Sequence, residues 1–180
     1  MAQFFDKIEK THAKFIAAQP MFFVATAAQE GRINLSPKGM DTFRVLGPNL
    51  AGYLDLTGSG AETAAHITHD GRMTFMFNSF GPKPLILRLY GQGRIAPRGG
   101  PEYAEHGSSF PDMPGARQII FMDVESVQTS CGYAVPRMDL VEERDVLTLW
   151  AENKGEDGVK EYIEANNVVS IDGLSTGVKT

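Results

Sequence analysis

Leu54-Asp-Leu-Thr-Gly-Ser-Gly-Ala-Glu-Thr-Ala-Ala-His-Ile67 reads as a strand that ends in a Gly-Ser-Gly loop and gives way at once to a helix. Gly58 and Gly60 let the backbone take left-handed angles and approach a ligand closely. Amides at the start of the following helix favour an anion, and Thr57, Ser59 and Thr63 add hydroxyls. The competing reading is a plain strand–helix turn with glycine for geometry and Ser59 as the helix cap. Loop composition alone favours that plainer reading. The glycine spacing fits neither a Walker loop nor a dinucleotide fingerprint.

Upstream, Gly31-Arg-Ile-Asn-Leu-Ser-Pro-Lys-Gly39 places Asn34, Ser36 and Lys38 at alternate positions. Residues two apart share a strand face, so the three can line one pocket, with Lys38 supplying positive charge. A solvated strand end turning at Pro37-Lys-Gly39 is the alternative. Arg72, Arg88 and Arg94 fall in apolar strands, where a guanidinium must find a partner or solvent. Pairing within the protein is the default for each. His66 and His69 share a helical spacing, but no third ligand has telling spacing and no metal site is predicted. No nucleophile motif such as Gly-x-Ser-x-Gly is present, and Cys131 has no motif around it.

The rest of the chain supplies more strands. Met21–Ala28 and Arg32–Ser36 flank a turn at Gln29-Glu-Gly31 and read as a hairpin. Asn49–Leu56, Arg72–Asn78, Leu85–Ala96 and Gln118–Gln128 are further strands, with a bend or bulge at Gly91 and Gly93. Helices are expected over Gln3–Gln19, ended by Pro20, over Ala61–Thr68, and over Val141–Glu152 and Gly158–Asn166. Gly99–Gly115 is loop with one helical turn near Glu102, and Val168–Thr180 is extended. The fold class is mainly β (α+β): a six-stranded antiparallel barrel with flanking N- and C-terminal helices. Helices do not alternate with strands as a doubly wound sheet requires. The expected organisation is a single domain over residues 1–180, with a barrel core over about 21–128 and a helical C-terminal extension over about 137–180.

Composition narrows the function. The net charge is −5, which argues against a protein built to grip nucleic acid. The one cysteine cannot form an internal disulfide, and a cytoplasmic setting is expected. No signal peptide or membrane span is read, so no membrane partner is expected.

Together the segments resemble the pyridoxamine 5′-phosphate oxidase-like, FMN-binding split-barrel family. The resemblance runs from about Phe22 to Gln128. It rests on Phe22-Phe-Val-Ala-Thr-Ala27, Gly31–Gly39, Tyr53–Gly60 with Glu62–Ile67, Gly71-Arg-Met-Thr-Phe-Met-Phe77 and Leu87-Arg-Leu-Tyr-Gly91. Ser170-Ile-Asp-Gly-Leu174 is similar to a subgroup of the family. The resemblance implies a split barrel and a homodimer with FMN at the subunit interface. It also implies a small-molecule substrate or electron donor, and oxidoreductase chemistry carried by the flavin. The cofactor-binding set it implies is Asn34, Ser36, Pro37, Lys38, Gly39, Asp55, Leu56, Thr57, Gly58, Ser59, Glu62, Thr63 and Arg88. True pyridoxamine phosphate oxidases carry a basic Ser-Arg-Lys signature where this chain has Ala61-Glu-Thr63, so vitamin B6 oxidation is not expected. Two other readings use the same scaffold. One is a non-catalytic flavin or haem binder, with His12, His66, His69 or His106 as haem ligand; the other is a deazaflavin-dependent reductase. Trp150 reads as core or interface anchor ahead of a flavin-stacking role.

Overall fold

The computed structural model describes residues 2–178 and is built on one antiparallel sheet. Its strands are β1 (Gln3–Phe5), β2 (Phe22–Thr26), β3 (Asn34–Lys38), β4 (Phe43–Gly47), β5 (Leu50–Leu56), β6 (Arg72–Asn78), β7 (Ile86–Pro97) and β8 (Ala116–Ser130). The helices are α1 (Lys10–Ala17), α2 (Glu62–His69), α3 (Pro101–His106) and α4 (Val146–Asn166). The hydrogen-bonded order is β3-β2-β6-β7-β8-β5-β4, with β1 beside β8. Among the described residues β3 and β4 are not paired with each other, so the sheet curls without closing. The expected mainly-β split barrel with helices at both ends is present, with eight strands in place of six.

Alternation of apolar and polar residues explains the curl. On β6, Met73, Phe75 and Phe77 are buried, while Thr74 and Met76 are half-buried. Phe22, Phe43, Phe75 and Phe77 meet across the interior with ring centroids between 4.8 and 6.0 Å apart. Aromatic pairs at this spacing add to the area they bury. β8 departs from alternation: Ile119, Ile120, Phe121 and Met122 are all fully buried. Ile120 and Met122 face the main core, whereas Ile119 and Phe121 join a second cluster with Leu54, Ala96 and Phe110. A strand covered on both faces reads as a continuous apolar run.

The bulge expected near Gly91 is a register shift between Tyr90 and Gly91. A Cβ at Gly91 would lie 2.0 Å from the Asp123 carbonyl oxygen, so only glycine fits there.

Three local expectations differ from the structure. Gln3–Phe5 is strand, not the first turn of a helix, and pairs with Val127–Thr129 of β8. β8 is long enough to pair with β5 through Leu50–Leu56 and still offer an edge to β1, a long-range partner that local periodicity cannot reveal. β4 was not expected as a strand; all five of its residues are half-buried, so it shows no alternation to read. The C-terminal helix begins at Val146, not Val141, and its two expected halves meet across Gly155, whose φ of 67° interrupts the helix. Lys179 and Thr180, the end of the expected extended tail, lie outside the described residues; before them Val169 bridges Ser175. Among the described residues no helix is long and apolar enough to cross a membrane.

Candidate functional site

β3 begins the site. Asn34, Ser36 and Lys38 are half-buried and face the interior side, while Leu35 and Pro37 are exposed. Pairing with β2 sets this facing, because Val24 opposite Ser36 and Phe22 opposite Lys38 are both core residues. The Asn34 amide Nδ2 donates to Thr63 Oγ1 at 3.0 Å and to Thr26 Oγ1 at 3.2 Å. Ser36 Oγ donates to Asn34 Oδ1 at 3.0 Å. The inner face of β3 is thereby tied to the start of α2, and the two segments singled out in the sequence form one surface.

Lys38 carries the charge expected of it. Its Nζ lies 3.7 Å from Asp55 Oδ1 and 5.5 Å from the centroid of the Tyr53 ring. Asp55 is buried. It accepts from Arg117 Nε at 2.7 Å and from Gln118 Nε2 at 2.8 Å, both on Oδ2. Burial opposes ionisation of Asp55, but the charges of Arg117 and Lys38 and the two donated hydrogen bonds outweigh it. The carboxyl is held below its ordinary range.

Arg117 organises the loop from below. Besides Asp55, it donates through Nη1 to Asn167 Oδ1 at 2.8 Å and through Nη2 to the Gly60 carbonyl at 3.0 Å. Asn167 is fully buried and donates to the Gly58 carbonyl at 3.1 Å. Thr57 donates from both its amide and its hydroxyl to the Gly115 carbonyl. The carbonyls of Gly58 and Gly60 are thus engaged. The amides of Gly58, Ser59 and Gly60 find no acceptor among the described residues. The first bond inside α2 runs from Ala65 N to the Ala61 carbonyl at 3.1 Å, so the amides just before it are uncommitted, as at any helix start. The helix is capped by Ala61 with no side-chain cap, which sets aside Ser59 as the cap. Ser59 is exposed. With the Gly58 and Gly60 carbonyls held and the neighbouring amides without an acceptor, the loop has backbone donors free for an anion.

Glu62 is committed to the C-terminal tail. Its Oε1 accepts the Ile171 amide at 3.0 Å, holding the C-terminal tail, and its Oε2 is buried with no partner among the described residues. The tail is anchored again where Asp172 accepts from the Arg32 amide at 2.7 Å and pairs with the Arg32 guanidinium. Asp172 packs on Gly31, where a Cβ would come within 2.6 Å of its carboxylate.

Of the remaining expected site residues, Gly39 lines a cavity together with Thr57, Gly58 and Ser59. Leu56 is half-buried at the end of β5. Arg88 is not brought to the loop. It stands opposite Gln128 on the outer sheet face, and its Nη1 donates to Ser130 Oγ at 3.4 Å. The histidines are spread out: His66 Nδ1 meets Thr26 Oγ1 at 3.0 Å in the interior, and His12 accepts from the Glu9 amide at 3.2 Å. Among the described residues no group of three or more His, Cys, Asp or Glu is placed to hold a metal.

Sequence reasoning missed Arg117, Gln118 and Asn167. The signal for Arg117 was available, since an arginine opening an apolar strand must find a partner. Asn167 gave none, because its partners lie 50 and 109 positions away in the chain.

Comparison with known proteins agrees with this architecture. A protein from Aspergillus flavus, the pyridoxamine 5′-phosphate oxidase family protein UstO, is 37% identical over 194 residues, covering 97% of this chain and 77% of that protein. The crystal structure of HupZ from Group A Streptococcus superposes with a TM-score of 0.54 at 20% identity, covering 67% of this chain and 91% of that one. The FAD binding protein from Mycobacterium smegmatis superposes with a TM-score of 0.50 at 10% identity, covering 70% of this chain and 97% of that one. Residues 8–131 match the family described as pyridoxamine 5′-phosphate oxidase, and the chain, with its Lys38-lined strand and Gly-Ser-Gly loop inside that match, belongs to that family.

Proposed function

We propose that the chain is an FMN-binding oxidoreductase that acts on a small molecule other than pyridoxamine phosphate. The observation that carries this reading is the loop over residues 57–63: its Gly60 and Gly58 carbonyls are held by Arg117 and Asn167, its amides are left open, and Lys38 shares the carboxylate of Asp55 with that Arg117. That donor set suits a phosphate monoester, which takes backbone amides, a hydroxyl and one ammonium group. The residues that would hold the phosphate and ribityl chain are Lys38 and Ser36 on β3, the amides of Gly58, Ser59 and Gly60, and the Ser59 hydroxyl. When bound, the flavin supplies the redox chemistry. The FAD binding protein with the same fold and the family itself support a flavin in general; we take it to be FMN, because open amides and one lysine suit a single terminal phosphate.

A homodimer with the flavin at its interface completes the reading, and the outer face of the sheet supports it. Ile33, Leu35 and Phe4 are exposed there at 79%, 63% and 66%. Leu35 on β3 and Phe4 on β1 are far apart along the sheet, and a partner chain would cover such exposed apolar side chains; Arg88 stands on the same outward side for use across that interface. The reading takes residues 1–180 as one domain, with the barrel over about 21–128 and the helical extension over about 137–180. A cytoplasmic setting suits the exposed, unpaired Cys131.

The test is the absorbance spectrum of the purified protein together with mass spectrometry of what denaturation releases. Flavin bands and one FMN per chain are expected. Colourless protein that takes up no FMN on titration refutes the reading.

A further inference from the structure

A cavity of about 660 Å³ opens between α4 and the Thr57–Ser59 loop. Its inner wall includes Met21, Met40, Gly58 and Ser59, and its outer wall includes Leu147 and Trp150. The volume lies within the range of roughly 300–1,000 Å³ usual for small-molecule sites. The outer wall lies beyond residue 131, where the family match ends, but within the 97% of the chain shared with the Aspergillus flavus relative.

The charged residues bordering the cavity are Glu142, Glu143 and Arg144, and all three are exposed. Away from the Gly58 and Ser59 amides, the methionine, leucine and tryptophan walls offer no partner for a buried charge, so an ion placed against them would stay uncompensated. They do suit a ring, because an aromatic wall favours stacked or edge-on contact with another π-system. Trp150 is fixed in place: Tyr162 packs against it edge-on at 5.0 Å, and Lys154 Nζ lies 5.6 Å from its ring. The side chain is therefore held as a wall of the cavity.

We infer that this cavity is a ligand pocket and that it takes a small molecule with a planar, uncharged aromatic body. The inference rests on the flavin reading above and adds a second ligand to it. The outer wall, Leu147 and Trp150, lies outside the residues that match the family, so it serves a molecule particular to this chain. The pocket shares Gly58 and Ser59 with the loop assigned to the phosphate, so its occupant borders the phosphate end of the cofactor.

The test uses full-length protein saturated with FMN and a neutral planar probe, 6-propionyl-2-dimethylaminonaphthalene, in equilibrium dialysis. One saturable probe site per chain is expected. Leu147→Asp, which puts a charge into the wall, and Trp150→Ala, which removes the ring, should each weaken probe binding tenfold or more. Both variants should retain full FMN content, and Trp150→Phe should stay within threefold of the wild type. Probe affinity indifferent to Leu147→Asp and Trp150→Ala overturns the inference. So does loss of FMN in these variants, or displacement of the probe by FMN, since the cavity would then belong to the cofactor. Failure of the wild-type protein to take up FMN is a different result and refutes the flavin reading instead.

Discussion

Arg117 and Asp55 form an ion pair that hardly meets solvent: Nε lies 2.7 Å from Oδ2, and the side chains are only 4% and 3% exposed. The pair joins β8 to β5 beneath the loop. The two terminal guanidinium nitrogens donate to Asn167 and to the Gly60 carbonyl, so one side chain sets both the loop and the docking of the tail.

Removing one partner leaves the other charge buried and unpaired. Arg117→Ala should therefore cost about 3–5 kcal/mol of folding stability, read as a lower denaturant midpoint with an unchanged slope. Replacing both partners in Asp55→Asn/Arg117→Met removes the stranded charge. The double variant should be more stable than Arg117→Ala alone. If it loses as much as the two single changes added together, the pair is not coupled.

The same pair predicts an acid dependence. The Asp55 carboxyl is depressed when folded, because attraction from Arg117 and Lys38 and the donated hydrogen bonds overcome the effect of burial. A depressed carboxyl contributes stability that is present above its unfolded value, ordinarily about 3.9, and is lost as pH falls through its folded value. Stability should decline on acidification from about pH 5 downward. Asp55→Asn should flatten that decline while lowering stability at neutral pH. Parallel acid profiles for variant and wild type would remove Asp55 as the source.

Asn167 acts on the loop from the tail. It is fully buried, accepts from Arg117 and donates to the Gly58 carbonyl, and its own carbonyl accepts from Thr176 Oγ1 at 2.6 Å. Asn167→Ala strands one donor and one acceptor, at about 1–3 kcal/mol each. Because Gly58 is then free to turn its peptide, FMN affinity should fall as well. An unchanged affinity with lowered stability would make Asn167 purely a tail anchor.

The limits of sequence reading can be traced to individual residues. Arg72–Asn78 showed its strand bounds because Met73, Phe75 and Phe77 alternate with half-buried neighbours. Asn34, Ser36 and Lys38 showed their common face for the same reason. Gln3–Phe5 did not, because what makes it a strand is the edge of β8 far along the chain. Glu62 read as an acid misplaced in an anion loop. The backbone turn at Ala61 instead points its carboxylate toward Ile171, a direction that residue type does not encode. Resemblance groups Arg88 with the loop, yet within one chain β7 places it on the outer sheet face beside Ser130.

Lys38 stands beside Asp55 without being fully engaged: its side chain is 28% exposed, and its contact with Asp55 is a loose 3.7 Å. Lys38→Ala should weaken FMN binding about ten- to a hundredfold, the worth of one charge-assisted hydrogen bond. Ser59→Ala removes a neutral donor and should cost less, roughly three- to tenfold. The thermal midpoint of Ser59→Ala should stay near the wild type, because Ser59 is exposed, while Lys38→Ala should lower it modestly, since Arg117 remains to pair with Asp55. FMN titration by flavin fluorescence measures the ordering, and equal affinities across wild type and both variants would move the phosphate elsewhere.

Glu62 separates the two functions that meet at the start of α2. Its Oε1 holds the Ile171 amide, and its Oε2 is buried without a partner among the described residues. Glu62→Gln keeps the acceptor for Ile171 and exchanges the orphaned oxygen for an amide group of the same size. The tail should stay docked, with protection of the Ile171 amide from hydrogen exchange unchanged. The variant also removes a negative charge close to the loop, where a Cβ on Gly60 would lie 3.6 Å from Oε1. Phosphate affinity should therefore rise, by up to about tenfold for a partly screened charge. Glu62→Ala removes the acceptor too and should expose the Ile171 amide to exchange while sharing the gain from lost charge. A fall in FMN affinity for Glu62→Gln with the Ile171 amide still protected would show the carboxylate itself to be part of cofactor binding.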